Sequence, residues 1–237
     1  MRWLLLILFL LAGCDAVYAS ALQFYPLAYA DGGGADVTEG LIHKWTFDET
    51  IEDSVGSADL TAVGSSFTYV DGVYGKCVNL VGISGQFTVL ATALNTFDGE
   101  ATITAWIKLN NALPATALSG LWDFGAVATT THYLYSGKIY FGTFISTRLG
   151  PFSPSGTIDR EEWHLLSVTS DGTDLIFRQN TFVVVTGAAT ATINLPATCR
   201  IGASSSTTYF DGLMDDVRLY DRALTADEIE TLYDNGI

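Results

Sequence analysis

From Leu41 to Tyr220 the sequence is a succession of short β-prone runs, each closed by glycine or a polar turn, and helical patterning begins only at Thr225. This succession excludes a parallel α/β fold, which needs a crossover helix between strands. LIHKWTF puts Leu41, His43, Trp45 and Phe47 on one face. VYGKCVNLVG, QFTVLAT, TITAWIKL, TFVVVTG, ATINL and CRIGA follow as further strand candidates. HYLYSGKIYFGTF reads as a hairpin around Ser136-Gly137. WHLLSVTSDGTDLIF reads as a second, turning at Asp171-Gly172, where glycine accepts the positive φ of a tight turn. Roughly twelve or thirteen strands at this spacing predict an all-β, two-sheet antiparallel sandwich.

The closing stretch, YFDGLMDDVRLYDRALTADEIETLYDNG, adds the one helix. Thr225 followed by Glu228 is a capping box, Ile229 and Leu232 form a buried stripe, and Asn235-Gly236 ends the element. The preceding strand places Leu213, Val217 and Leu219 at period-two spacing with Asp215 on their side. Asp215-Asp216 is the anomaly there. Two adjacent carboxylates repel, and any withdrawn from water need partners, which a cation supplies; a solvated strand end is the other reading.

The first residues, MRWLLLILFLLAGC, set Arg2 before an apolar run too short to span a bilayer, the form of a signal peptide. Leu11-Ala12-Gly13-Cys14 looks like a lipobox, which predicts lipidation of Cys14 and a cell-envelope lipoprotein held by its acyl chains. Ordinary cleavage after Ala19 remains the competing reading and predicts a secreted protein. Residues 15–39, with Gly32-Gly33-Gly34, read as a flexible tether, and the domain spans 40–237. An apolar share of 49% is ample for a packed core. Eleven basic and 26 acidic residues give a net charge of −15, which excludes a nucleic-acid partner and limits membrane contact to the anchor. In an exported chain, a disulfide between Cys77 and Cys199 is favoured over two buried thiols.

WTFDET, YGKCVNLVG, TITAWIKL, EWHLLSVTSDGTDLIF, RIGAS and FDGLMDDVRLYDRALTADEI occur in the order seen in a known family. Over residues 41–236 the chain resembles the laminin-G-like branch of the concanavalin A-like jelly rolls. Phe177-Arg178-Gln179-Asn180 departs from the family's aromatic hairpin ending in Asp-Gly or Asn-Gly, although Asn180 tolerates the left-handed turn. Cys77 also stands where relatives carry a small or apolar residue, which again suggests pairing with Cys199.

The resemblance implies a structural calcium ion joining the loop after the first strand to the last strand, through Asp48, Asp53, Asp215 and Asp216. Calcium takes six to eight oxygens without strict ligand spacing, so this donor set suits it. A glycan site needs exposed aromatic faces, and Trp122, Tyr133, Tyr135 and Tyr140 are the candidates on the concave sheet or its rim. The paired-carboxylate strand motif of related β-glucanases is missing, and His43, His132 and His164 are scattered without a nucleophile elbow. The expectation is a non-enzymatic surface module for a glycan or a cell-surface protein. A structural or protein-binding module is the first alternative, and a glycoside hydrolase lacking the usual motif the second.

Overall fold

The computed structural model describes residues 35–236, apart from 65–66, 83, 95–98, 111–117, 125–130, 136–137, 143–147, 150–161, 189–196 and 205–207. Cys14, the leader, most of the tether and the Ser136-Gly137 turn lie outside the described residues. The described strands are β1 (Leu41–Trp45), β2 (Thr61–Val63), β3 (Phe67–Asp71), β4 (Lys76–Val81), β5 (Gln86–Leu90), β6 (Glu100–Leu109), β7 (Leu118–Asp123) and β8 (Thr131–Tyr135). They continue with β9 (Lys138–Gly142), β10 (Arg148–Leu149), β11 (His164–Asp171), β12 (Asp174–Gln179), β13 (Phe182–Ala188), β14 (Thr198–Ile201) and β15 (Asp211–Tyr220). One helix, α1 (Ala226–Asp234), follows.

The strands form two antiparallel sheets. The first runs β13-β12-β11-β6-β15-β4-β3, with β1 also paired to β15; the second runs β10-β9-β8-β7-β14-β5-β2. Period-two alternation sends Ile103, Ala105 and Ile107 of β6 inward, against residues such as Trp122 and Ile201 of the second sheet. Thr102, Thr104 and Trp106 therefore face outward. The Asp171-Gly172 turn forms as its sequence dictates, with Gly172 at φ +83° and the Asp171 carboxylate accepting from the Thr173 and Asp174 amides. At the next hairpin Asn180 takes φ +56°, and its side-chain oxygen accepts from the Leu165 amide at 3.0 Å.

The outer face of the first sheet carries a second apolar cluster. Ile229 and Leu232 of α1 cover Trp106, Leu165 and Tyr220, and the Tyr233 ring stacks on Trp106 at 5.7 Å. The capping box is complete: Thr225 Oγ1 accepts from the Glu228 amide, and Glu228 Oε2 accepts from the Thr225 amide at 2.7 Å. Arg222 also clasps Glu228, at 2.6 and 2.9 Å, and chiefly through that contact the Glu228 carboxyl is held down to about 2.

Two expectations fail here. The end of the tether belongs to the folded domain. Val37 packs into the outer cluster, the Tyr220 hydroxyl donates to the Val37 carbonyl at 3.1 Å, and Arg222 Nε donates to that of Glu39 at 2.9 Å. Nor do Cys77 and Cys199 join in a disulfide; both are buried thiols. The reason is strand parity. Val78 and Leu80 occupy the inter-sheet core, so Cys77 faces the outer side of its sheet, whereas Cys199 points into the core beside Ile201. Burial pushes both thiols up to about 12, so neither is ionised at neutral pH. A thiol reagent is expected to label neither cysteine in the native protein and both after denaturation without reductant. The melting temperature should be the same with and without dithiothreitol; a drop on reduction would restore the disulfide.

Candidate functional site

β15 pairs with β6 along one edge, but its other edge is shared between two strands. β4 takes Asp211 to Met214 and β1 takes Val217 to Tyr220. The handover falls at Asp215-Asp216, and a bulge sits in the same place. Asp215 lies opposite Trp106 and Arg218 opposite Thr104, so β15 carries one residue more than β6 over that step. Asp216 absorbs the extra residue at φ +47°. Met214 and Val217, three apart, therefore both reach the inter-sheet core. Leu213 does not share their side, and Asp215 turns outward toward the Trp106 face, which corrects the simple alternation expected for this strand.

The bulge gives the two carboxylates different surroundings. Asp215 is fully buried, and its Oδ2 accepts from the amides of Val73 and Tyr74 at 2.8 and 2.9 Å. The same turn is held from its other side by Asp48, whose Oδ1 accepts from the Lys76 amide at 2.6 Å. Gly72 and Gly75 make the approach possible, because a Cβ at Gly72 would strike Asp215 Oδ2 and one at Gly75 would strike Asp48 Oδ1. Asp216 is instead paired with cations. Arg218 Nη2 and Nε lie 2.6 and 2.8 Å from its Oδ2, and Lys44 Nζ lies 3.1 Å from its Oδ1. Burial, with the Asp216 charge adding to it against the two amides, pushes the Asp215 carboxyl up to about 7.

Asp53 sits apart, in the loop following β1. Its Oδ1 accepts from the amides of Lys44, Val55 and Gly56 at 3.0, 3.1 and 2.9 Å. Its Oδ2 accepts from the Ala58 amide at 3.0 Å and lies 2.5 Å from His43 Nδ1. Burial acts to raise this carboxyl, but the amides and the ring outweigh it and hold it at about 2.

These residues do not fit a shared calcium. Asp48 and Asp215 converge on one turn, yet they grip its backbone amides, Asp53 is filled by five donors, and Asp216 is neutralised by Lys44 and Arg218. Among the described residues no three His, Cys, Asp or Glu side chains are grouped to hold a metal. The stitch between the first-strand loop and the last strand exists. Its material is main-chain N–H. The sequence signal was the glycine pair in DGVYGK, which marks close backbone approach rather than only a loop.

The aromatic candidates divide. Trp122 is 0% exposed in the inter-sheet core, so it is a packing residue and offers no face to a ligand. Tyr133, Tyr135 and Tyr140 lie on the β8–β9 hairpin of the second sheet, Tyr133 in register with Gly120 on one side and Tyr140 on the other. Their side chains lie outside the described residues.

The family model for the concanavalin A-like lectin/glucanases superfamily matches residues 82–230. No curated protein sequence matches the chain. Among solved structures, the chain is similar to domain 4 of AbnA, a GH43 extracellular arabinanase from Geobacillus stearothermophilus, in complex with arabinotriose. That likeness has a TM-score of 0.64 at 19% identity and covers 83% of this chain and 98% of that one. It is also similar to the receptor-binding domain of a botulinum neurotoxin C/D mosaic serotype, at TM-score 0.65 and 13% identity over 82% of this chain. A third is the binding domain of botulinum neurotoxin DC in complex with rat synaptotagmin II, at TM-score 0.64 and 13% identity over 84% of this chain. The chain spans about half of each toxin domain, 51% and 52%. At these identities the likeness is one of fold.

Two outcomes follow from the carboxylates. Asp53→Ala strands four amides and is expected to cost about 3 kcal/mol or more, read from urea unfolding. For Asp215, the folded carboxyl keeps its proton to about 7 while the unfolded one loses it near 3.8. The folded chain thus binds more protons in that window, and its stability falls as pH rises through it. Asp215→Asn should flatten the decline between pH 4 and 7. Parallel curves for the two proteins would place the titration elsewhere.

Proposed function

We propose that this chain, which belongs to the concanavalin A-like lectin/glucanases superfamily, is a non-catalytic binding module that takes glycans at the cell surface. The observation that carries this reading is the likeness to arabinanase domain 4, which covers 98% of that domain and whose structure holds arabinotriose. A further similar structure is described by the dependence of botulinum neurotoxin type C cell entry on two ganglioside molecules. Binding suits a scaffold whose described buried acids are committed to holding loops. Asp53 and Asp215 carry backbone amides, and Asp216 carries Lys44 and Arg218, so none of the three is available as the acid of a hydrolytic pair.

The β8–β9 hairpin is the proposed ligand face, with Tyr133, Tyr135 and Tyr140 as stacking platforms for sugar rings. Export is part of the same reading: the Arg2-led apolar leader routes the chain outward, and acylation at Cys14 holds it to the envelope.

A protein partner is the second reading, and one observation favours it. Phe182 is 73% and Val183 50% exposed at the start of β13, which ends its sheet among the described strands. A similar toxin domain, matched over 52% of its length, is described in complex with rat synaptotagmin II, which supports this reading.

A glycan array probed with the chain from residue 35 onward is expected to give arabinan- or oligosaccharide-specific signals. Tyr140→Ala should weaken them tenfold or more, whereas Phe182→Ser should leave them intact. An array silent throughout, with Phe182→Ser abolishing capture by a protein receptor, would give the second reading instead.

A further inference from the structure

Strand register lines up five residues across the outer face of the first sheet. Arg178 of β12 lies opposite Ser167 of β11, Ser167 opposite Thr104 of β6, Thr104 opposite Arg218 of β15, and Arg218 opposite Lys44 of β1. Directly opposed side chains start about 4.5–5.5 Å apart at Cβ, so the row is continuous. One end of it is satisfied, because Arg218 and Lys44 share Asp216. The other end is not. Arg178 is 6% exposed, Ser167 0% and Thr104 1%, and Arg178 Nε and Nη1, Ser167 Oγ and Thr104 Oγ1 meet no hydrogen-bond partner among the described residues.

A buried guanidinium without an acid is among the most costly groups a fold can hold, and it never sheds its proton at neutral pH. Burial shifts the Arg178 pKa downward, and no carboxylate among the described residues compensates it. The contrast with the other cations of the same face is informative: Lys44 and Arg218 have Asp216, and Arg222 has Glu228. Ser167, beside Arg178, and Thr104, one strand further along the row, carry hydroxyls that also lack partners among the described residues. Three donor-bearing side chains thus follow one another along the row, and none brings an acceptor with a negative charge.

We propose that Arg178, Ser167 and Thr104 form an anion subsite for a single small carboxylate, either free or carried on a sugar acid. The guanidinium supplies the charge and the hydroxyls donate to the remaining oxygen lone pairs, as charge-assisted hydrogen bonds require. A carboxylate suits the row because its two oxygens can face Arg178 on one side and the hydroxyls on the other. The subsite lies on the opposite sheet from the β8–β9 hairpin, so it does not rest on the glycan reading and its failure would leave that reading untouched.

The test is the melting temperature of the chain from residue 35 onward as chloride is exchanged for acetate at constant sodium, with glucuronate as a parallel arm. A rise of about 3–6 °C is expected once the anion is in tenfold excess over its dissociation constant. Acetate activity indicates a free ion, and activity of glucuronate alone indicates a sugar-borne carboxylate. Arg178→Met should abolish the response and melt no lower than the parent in chloride, because an apolar side chain of similar volume removes the unpaired charge. Should that variant misfold, Ser167→Ala keeps the charge and should reduce the response at least threefold in apparent affinity. A parent indifferent to both anions, or variants that respond as the parent does, would overturn the subsite.

Discussion

The positive φ of Asp216 is the constraint on which the middle of the molecule depends. Without that extra residue, Asp215 and Asp216 would alternate across β15, and one carboxylate would enter the inter-sheet core beside Met214 and Val217. With it, both stay on the outer side of the sheet and are separated by function. One binds main-chain amides of the Gly72–Lys76 turn, and the other neutralises Lys44 and Arg218. A left-handed aspartate costs conformational energy of order 1 kcal/mol, and the contacts it permits offset this. The strand can then exchange β4 for β1 as its neighbour without leaving the gap unfilled.

Much of the architecture was readable from the chain because it rests on local rules. Asp171-Gly172, Asn180 and the Thr225–Glu228 box each specify a backbone conformation within a few residues, and the structure adopts all three. Ile229 and Leu232 likewise follow helical spacing into the outer cluster. What was misread depends on parity or on what covers a face. The side of Leu213 and Asp215 was wrong because a bulge shifts every later residue by one, and nothing in MDDVRL marks the insertion. The cysteine pairing was avoidable, since KCVNLV already sets Cys77 against Val78 and Leu80. Trp122 looked like a candidate platform only while its face was unknown. The burial of Arg178 is a tertiary property, although its place in the unusual FRQN hairpin marked the segment as different.

The candidate metal centre illustrates how one mechanical task admits two chemistries. A loop that follows the first strand must be tied to the last, and a cation shared by carboxylates is one solution. Here the acids are retained, but each closes on peptide N–H groups or on Lys and Arg side chains. Such bonds need no free ion. At Asp215 and Asp216, both buried, ordinary salt screens them little.

The short segment from Asp36 to Gly40 has a consequence for load. It lies against Tyr220 and Arg222, so tension arriving along the chain from ahead of residue 35 meets the carbonyls of Asp36, Val37 and Glu39 in turn. Those three bonds can be drawn off singly, like the first teeth of a zip. β1 beyond them is locked to the central strand along its length and must be strained as a unit. A few residues of strap thereby act as a fuse, yielding under a tug while the sandwich behind it keeps its shape.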